Sequence, residues 1–252
     1  PLRSEVIETV ISFNLSKLMG MPTNIYCPVE IDCQNCPSST PWNTEHASIP
    51  AGKNTYHIKY ALIEENLFGD AISVSNPQAP LGVEWEEFKN VKTDSEEKKK
   101  LMLIEREAMM LWISCIQHTD AAGFNNRLSC KKTEKDENKN IVCKETYIYL
   151  HDHGHAFYRH LNFSKWSGEH VFQSNNPGSG CRTSMRKGFL PEQSPMKGII
   201  LEAEISSEAR DLIYNRLTKI TDEQWTTLFY LARAEEAAKV SASQWLKAIK
   251  KK

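Results

Sequence analysis

The spacing of apolar residues predicts two long helices in the first half of the chain. Helical periodicity runs through residues 4–19, where Ser4 can cap the helix and Gly20 followed by Pro22 ends it. Residues 95–117 begin with the charged run SEEKKK and continue as LMLIEREAMMLWISCI. Since this second segment is apolar over too wide an arc for a surface helix, we expect it to be a central buried helix.

Shorter patterns predict strands between these helices and more helices at the end of the chain. NIYCPVEIDC, TYHIKYALIEENL and TYIYL have the alternation and the β-branched and aromatic residues of strands. Residues 206–217 are amphipathic, and TDEQ at 221–224 and SASQ at 241–244 are capping boxes that open further helices. The charged run KKTEKDENKN at 131–140 and the Gly-, Pro- and Ser-rich residues 164–198 are expected to be loops.

These elements predict an α+β fold with a small mixed part at 1–72 and a larger, mainly helical part at 73–252. The 252 residues suffice for a sizeable core, and 40% hydrophobic with 25% charged residues is ordinary for a globular protein. A formal net charge of −1 gives no field that would attract nucleic acid. No apolar run reaches the length of a transmembrane helix, so we expect none.

The cysteines favour an oxidising compartment. Cys130 and Cys143 flank the charged run, and a disulfide between them would contribute roughly 3 kcal/mol. Cys33 and Cys36 form a C-x-x-C that could be a disulfide or, with Cys27 and His46, part of a zinc site. The chain opens at Pro1 without an initiator methionine, so we expect a processed or truncated protein that could have lost a secretory signal. With the cysteines, this predicts an extracytoplasmic location, either periplasmic or secreted.

Two polar clusters flank the predicted hairpin that the charged run closes. His118, Asp120 and Asn125 precede it in HTDAAGFN, and Asp152 follows it in HDHGH. A hairpin brings its outer ends together, so Asn125 and Asp152 can share one site. Carboxylate and amide oxygens suit magnesium, and a carboxylate away from the metal can deprotonate a hydroxyl. These groups are those that phosphoryl transfer requires.

HTDAAGFN resembles the protein-kinase catalytic loop H-x-D-x-x-x-x-N, matching at His118, Asp120 and Asn125. TYIYLHDHG resembles the strand and D-F-G that follow it, with Asp152 and Gly154 in place. The resemblance, closest to the atypical phosphoinositide-kinase-like and HipA-like branches, implies a two-lobe fold with a reduced N-terminal lobe and a mainly helical C-terminal lobe. It also implies Mg²⁺ and ATP as cofactors, with an unknown acceptor.

The same resemblance assigns roles to individual residues. Asp120 would act on the acceptor hydroxyl, with His118 in the same catalytic loop, and Asn125 and Asp152 would bind magnesium. SEVIETVISFNLSKLMGMP resembles the helix that carries the ion-pairing glutamate, here Glu5 or Glu8. ALIEENLFGDAI would then be the last small-lobe strand and the hinge.

A second resemblance covers residues 4–250 and is to uncharacterised secreted bacterial proteins. The motifs that carry it are CQNCP, HTDAAGFNNRLSC, DHGHAF and ITDEQWTTLF. It implies secretion but little about function.

Several departures from the kinase pattern keep other functions open. The sequence has no Gly-rich phosphate loop and no V-A-I-K-type lysine, both of which would precede Glu5, and Ala121 and Ala122 stand where a basic side chain is usual. One alternative is therefore a non-catalytic, pseudokinase-like module that binds a protein partner through residues 158–198. Another is a metal-dependent hydrolase, in which His151, His153 and His155 would share one face of a strand and bind the metal.

Overall fold

The computed structural model of the chain combines helices with small antiparallel sheets, as the α+β prediction requires. It describes residues 2–34, 55–65, 70–71, 87–91, 93–118, 126–139, 141–151, 153–154, 156–157, 161–168, 172–173, 182–183 and 204–251. The helices are α1 (Leu2–Leu18), α2 (Glu96–Cys115), α3 (Phe163–Gly168), α4 (Ser207–Leu217), α5 (Asp222–Leu231), α6 (Ala234–Ala238) and α7 (Ala242–Ile249). The strands are β1 (Ile25–Gln34), β2 (Thr55–Glu65), β3 (Asp70–Ala71), β4 (Asn126–Lys135), β5 (Ile141–Leu150), β6 (Phe172–Gln173) and β7 (Arg182–Thr183), and a 3₁₀ helix spans Glu87–Asn90.

The two predicted long helices are present, and each ends in a left-handed residue. Gly20 (φ +67°) follows α1, where its N–H donates to the Lys17 carbonyl and the next N–H donates to that of Ser16. This pair of bonds is a Schellman motif, which favours glycine because the left-handed region costs other residues energy. The prediction that Gly20 ends the first helix is confirmed.

Both predicted capping boxes form. Thr221 caps α5 and Ser241 caps α7, and in each the side chain of the third helical residue, Gln224 or Gln244, returns to the cap backbone. Ser206 caps α4 through the backbone N–H of Ala209. These helix starts follow from short-range hydrogen bonds that a sequence motif specifies directly.

The strands form three separate antiparallel sheets among the described residues. β1 pairs with β2, with an irregularity between Val29 and Ile31; β3, β4 and β5 form the second sheet, and β6 pairs with β7. Thr23 makes an isolated parallel bridge to Leu150, which joins the start of β1 to the end of β5. ALIEENLFGDAI therefore runs from the first sheet to the second, because β2 ends at Glu65 and β3 pairs with β4.

Two predicted loops are corrected. The first half of the charged run at 131–140 is strand, since β4 continues to Lys135, and a tight turn at 136–139 leads towards β5. Charged residues are stable there because the outer end of the hairpin is exposed and the backbone bonds come from the strand pairing. Helix α3 lies in the other predicted loop, 164–198, where Trp166 is buried against the core.

One continuous apolar core joins the start of the chain to its end. Ile7, Ile11 and Leu15 of α1 belong to the same cluster as the buried face of α2 and Phe229 of α5. Trp245 of α7 is fully buried in that cluster. The division at residue 72 stays a prediction. Within the described part of the chain, no helix combines the length and apolar character needed to cross a bilayer.

Candidate functional site

The segments that carry the two polar motifs meet in the core. The backbone N–H of Phe157, which follows DHG, donates to the carbonyl of Ile116, which precedes HTD, at 2.5 Å. The indole N–H of Trp166 donates to the carbonyl of Cys115 at 3.0 Å. The end of α2 and the segment after β5 are therefore held together by backbone carbonyls that the helix leaves without intrahelical partners.

His118 is fully buried at the end of α2. The backbone N–H of His118 donates to the carbonyl of Ile113, and the backbone N–H of Gln117 donates to the carbonyl of Ser114. A second Schellman motif therefore ends this helix. Gln117 takes the left-handed position with φ 49°, although it is not a glycine. The left-handed conformation of Gln117 costs energy, but it turns the chain so that His118 lies in the interior and not at a solvated helix end.

His153, the middle residue of DHG, is held by two hydroxyl groups. Its Nδ1 lies 2.9 Å from Ser12 Oγ of α1, and its Nε2 lies 2.7 Å from Thr23 Oγ1. Thr23 Oγ1 also donates to the Asn24 carbonyl, so the neutral imidazole can accept from Ser12 and donate to Thr23. We call Ser12, Thr23, His118 and His153 the imidazole cluster.

The pKa of His153 is lowered to about 3. Burial of the ring is the main cause, because it penalises the charged form, and the nearby His118 lowers the pKa further. The Glu64 carboxylate opposes the shift only in part. His153 is therefore neutral at physiological pH and acts as a hydrogen-bonding group rather than as a proton donor.

A stripe of buried polar residues on α1 faces these segments. Glu8, Ser12 and Ser16 are spaced at four-residue intervals and almost completely buried. Glu8 Oε1 accepts from the backbone N–H of Leu161 at 2.8 Å, and Ser16 Oγ accepts from the indole of Trp112 at 3.2 Å. The stripe thus binds α1 to the segment after DHG and to α2 through specific hydrogen bonds.

A second polar cluster lies beside it, where β1, β2 and the end of β5 meet. Glu64 Oε1 accepts from the Asn24 amide at 2.5 Å and from the Tyr26 hydroxyl at 2.9 Å, and it lies 3.0 Å from His151 Nδ1. Tyr26 also donates to the His151 carbonyl. We call Asn24, Tyr26, Glu64 and His151 the Glu64 cluster.

The Glu64 cluster is organised around a carboxylate. Burial would raise the pKa of Glu64, but hydrogen bonds from His151, Asn24 and Tyr26, together with the charge of His151, hold it below its ordinary value. Glu64 is thus ionised at neutral pH. Its negative charge lies against His151, the residue that precedes the predicted metal ligand Asp152 in the sequence.

The structure describes two of the residues predicted for the kinase-like site, His118 and Glu5. His118 lies in the imidazole cluster, and Glu5 lies half-buried on α1, one turn before the fully buried Glu8. Asp120, Asn125 and Asp152 lie outside the described residues. The described residues contain no group of three or more His, Cys, Asp or Glu side chains placed to hold a metal ion.

The histidine-based metal site loses support from the position of DHG. β5 ends at Leu150, so His151 and His153 follow the strand and do not alternate along it. The expectation of a shared strand face was therefore wrong. Both nitrogens of His153 contact hydroxyl groups, and His151 contacts Glu64 and Asn24, while His155 lies outside the described residues.

The cysteines divide by their bonding state. Cys27 and Cys115 are reduced thiols and Cys130 is disulfide-bonded. In the hairpin register Cys130 lies opposite Thr146 and Cys143 lies opposite Thr133. Such an offset places the two Cα atoms roughly 8–11 Å apart, beyond the usual reach of a disulfide.

The hairpin register therefore argues against the predicted Cys130–Cys143 bridge, which stays a prediction. The side chains of Cys33 and Cys143 are not described, and Cys36 and His46 lie outside the described residues. The zinc and disulfide interpretations of the C-x-x-C therefore both stay open.

Sequence reasoning missed Ser12, Thr23, Asn24 and Glu64. Their contacts join parts of the chain up to 141 residues apart, and such pairing leaves no local pattern. The one available signal was the polar stripe, because Glu8, Ser12 and Ser16 recur at four-residue spacing, each directly after an apolar residue of the same helix.

Comparisons of the chain with protein-family models, with curated proteins and with solved structures found no match.

Proposed function

We propose that the protein has a kinase-like two-lobe fold and catalyses Mg²⁺- and ATP-dependent phosphoryl transfer to an acceptor not yet identified. The observation that carries the proposal is the convergence of the HTD and DHG segments. His118 lies two residues before Asp120 and His153 lies one residue after Asp152, and the two histidines are close enough for the charge of one to lower the pKa of the other. The Phe157–Ile116 hydrogen bond supports the same convergence.

The contacts of α1 add independent support. A kinase-like fold requires a small-lobe helix that packs against the D-x-G segment. Ser12 contacts His153 and Glu8 contacts the backbone of Leu161, so α1 bonds directly to that segment. The polar stripe makes this packing specific, because each buried polar group would cost free energy if the helix moved away.

The chemistry of the donor set fits magnesium. Asn125 and Asp152 would hold Mg²⁺, which when bound compensates the charge on the phosphates. Asp120 would orient the acceptor hydroxyl and take its proton. Glu5 would hold a phosphate-clamping lysine that this sequence does not contain. We further propose an extracytoplasmic location, either periplasmic or secreted in a bacterium, from the disulfide chemistry and the second resemblance.

Calorimetric titration with Mg-ATP tests the nucleotide site. We expect the wild-type chain to bind one Mg-ATP, and Asp152→Ala to weaken that affinity about tenfold or more because a metal ligand is lost. Asp211→Ala is the matched control, since Asp211 is an exposed aspartate on α4 and should leave the affinity unchanged. Absence of binding in the wild type would refute the proposal, and unchanged affinity in Asp152→Ala would refute the metal assignment.

Turnover separates an enzyme from a binding module. Asp120→Asn should leave Mg-ATP affinity unchanged but lower ATP hydrolysis and self-phosphorylation by roughly 10²- to 10⁴-fold, the range for loss of a general base. A wild-type chain that binds Mg-ATP without either reaction would instead be the pseudokinase-like module.

A further inference from the structure

An apolar cavity of about 380 Å³ lies between the helices of the C-terminal part and α1. Its walls include the rings of Trp112, Phe157, Trp166 and Trp225. The remaining lining comes mainly from aliphatic side chains of α2, α4 and α7. Ligand cavities are typically concave, apolar and of at least about 300 Å³, so the size and lining of this one suit a small molecule.

Arg210 is the one charged side chain among the described residues that line this cavity. It lies on α4 with Ile213, Tyr214 and Leu217, at the spacing of a single helical face. Arg210 is exposed to solvent, and it makes no ion pair with any described residue. An apolar cavity with one uncompensated guanidinium at its solvent side is complementary to an amphipathic anion.

The volume of the cavity limits the length of the hydrocarbon chain that a ligand can place in it. An apolar cavity of about 150 Å³ accommodates benzene, so a cavity of about 380 Å³ can hold roughly twice as many carbon atoms. A hydrocarbon chain of medium length fits, whereas a two-carbon or three-carbon acid would leave most of the apolar wall without contacts. Burial of the chain supplies affinity, and the arginine fixes the orientation.

We propose that this cavity binds a medium-chain aliphatic carboxylate. The hydrocarbon chain lies among the tryptophan rings and the carboxylate pairs with Arg210. The site is distinct from the imidazole cluster and from the Glu64 cluster, and the proposal does not depend on phosphoryl transfer.

Calorimetry with decanoate, below its micelle concentration, tests the proposal on the full chain. Decanoate should bind at one site, and decyltrimethylammonium, which has the same chain and the opposite charge, should bind more weakly. Arg210→Gln should weaken decanoate binding about fivefold, as expected for a partly exposed ion pair. Lys219→Gln removes one positive charge outside the cavity and should have no effect, because Lys219 is exposed beyond the end of α4.

A second variant locates the bound chain. Ile249 lines the cavity and is only partly buried, so Ile249→Trp can fill the cavity while the fold is retained. This variant should abolish decanoate binding without lowering the melting temperature. Decanoate should also slow alkylation of Cys115, which lines the cavity, and leave the exposed thiol of Cys27 unaffected.

Four results would overturn the proposal. The first is failure of decanoate to bind the wild-type chain, and the second is equally tight binding of decanoate to Ile249→Trp and to the wild type. Equal affinity of decanoate for Arg210→Gln and for the wild type would remove the carboxylate assignment. A dimer in sedimentation that Ile249→Trp dissociates would identify a second copy of the chain as the occupant.

Discussion

His153 shows how a single residue can carry a tertiary constraint. Its ring is completely buried, edge-on to Tyr26 with ring centroids 5.7 Å apart, and both nitrogens are hydrogen-bonded. A neutral imidazole satisfies these partners, whereas a protonated ring would add a buried charge beside His118 that Glu64 offsets only in part. The contribution of His153 to the free energy of unfolding therefore depends on pH.

We expect His153 to make stability fall in mild acid. The folded protein keeps this histidine neutral down to about pH 3, while the unfolded chain takes up a proton below about pH 6.5. Because the unfolded state binds more protons between these values, the contribution is complete above pH 6.5. It is lost as the pH falls, by about 1.4 kcal/mol per pH unit.

Urea unfolding between pH 6 and pH 4, with a chelator present, measures this slope. His153→Gln keeps a donor and an acceptor but cannot titrate. It should therefore lower the slope of the free energy of unfolding against pH by the equivalent of about one proton, or about 1.4 kcal/mol per pH unit. His57→Gln changes an exposed histidine of β2 in the same way and should leave the contribution of His153 in place. Equal slopes in His153→Gln and the wild type would contradict the burial argument.

At the scale of elements, helix starts are set locally and helix packing is not. Both capping boxes form because Thr221 and Ser241 each lie three residues before a glutamine. α1 also has a local start and stop, but its orientation depends on Glu8, Ser12 and Ser16, whose partners come from α2 and from the segments around DHG and Leu161.

Thr221→Ala should destabilise the protein by about 1 kcal/mol, because the backbone N–H of Gln224 loses its acceptor at the start of α5. Thr227→Ala is the control, since Thr227 lies exposed within the same helix and is not a cap. Thermal unfolding of both variants measures the difference. A melting temperature that falls equally in the two would show that the capping box contributes nothing.

At the scale of the whole molecule, an aromatic cluster joins the candidate site to the end of the chain. Trp245 of α7 stacks on Phe229 at 5.2 Å and meets Phe157 edge-on at 5.5 Å. Phe157 in turn bonds to the end of α2 two residues before His118. The C-terminal helices therefore pack against Phe157, which is bonded to the end of α2 that carries His118.

Trp245→Ala should cost about 3–5 kcal/mol, the usual range for loss of a fully buried aromatic ring. Trp245→Phe should cost much less, because it keeps a ring in the stack and removes an indole N–H that has no hydrogen-bond partner within the described structure. Chemical denaturation with tyrosine and tryptophan fluorescence compares the two. A Phe variant as unstable as the Ala variant would show that the indole itself makes the important contacts.

The sequence by itself determined the long helices, the hairpin and the caps. These depend on apolar periodicity and on contacts within about four residues, as at Gly20, Thr221 and Ser241. It also determined which residue types are available for chemistry, because HTD and DHG stand at either side of the hairpin.

Only the tertiary structure decided which of these groups meet. Ser12 reaches His153 across 141 residues and Asn24 reaches Glu64 across 40, and neither pairing follows from spacing. The apolar cavity beside Arg210 arises because large rings on several helices do not fill the space between them. The physical reason is the same throughout: short-range hydrogen bonds are encoded by neighbours in sequence, whereas burial and long-range pairing depend on how the whole chain packs.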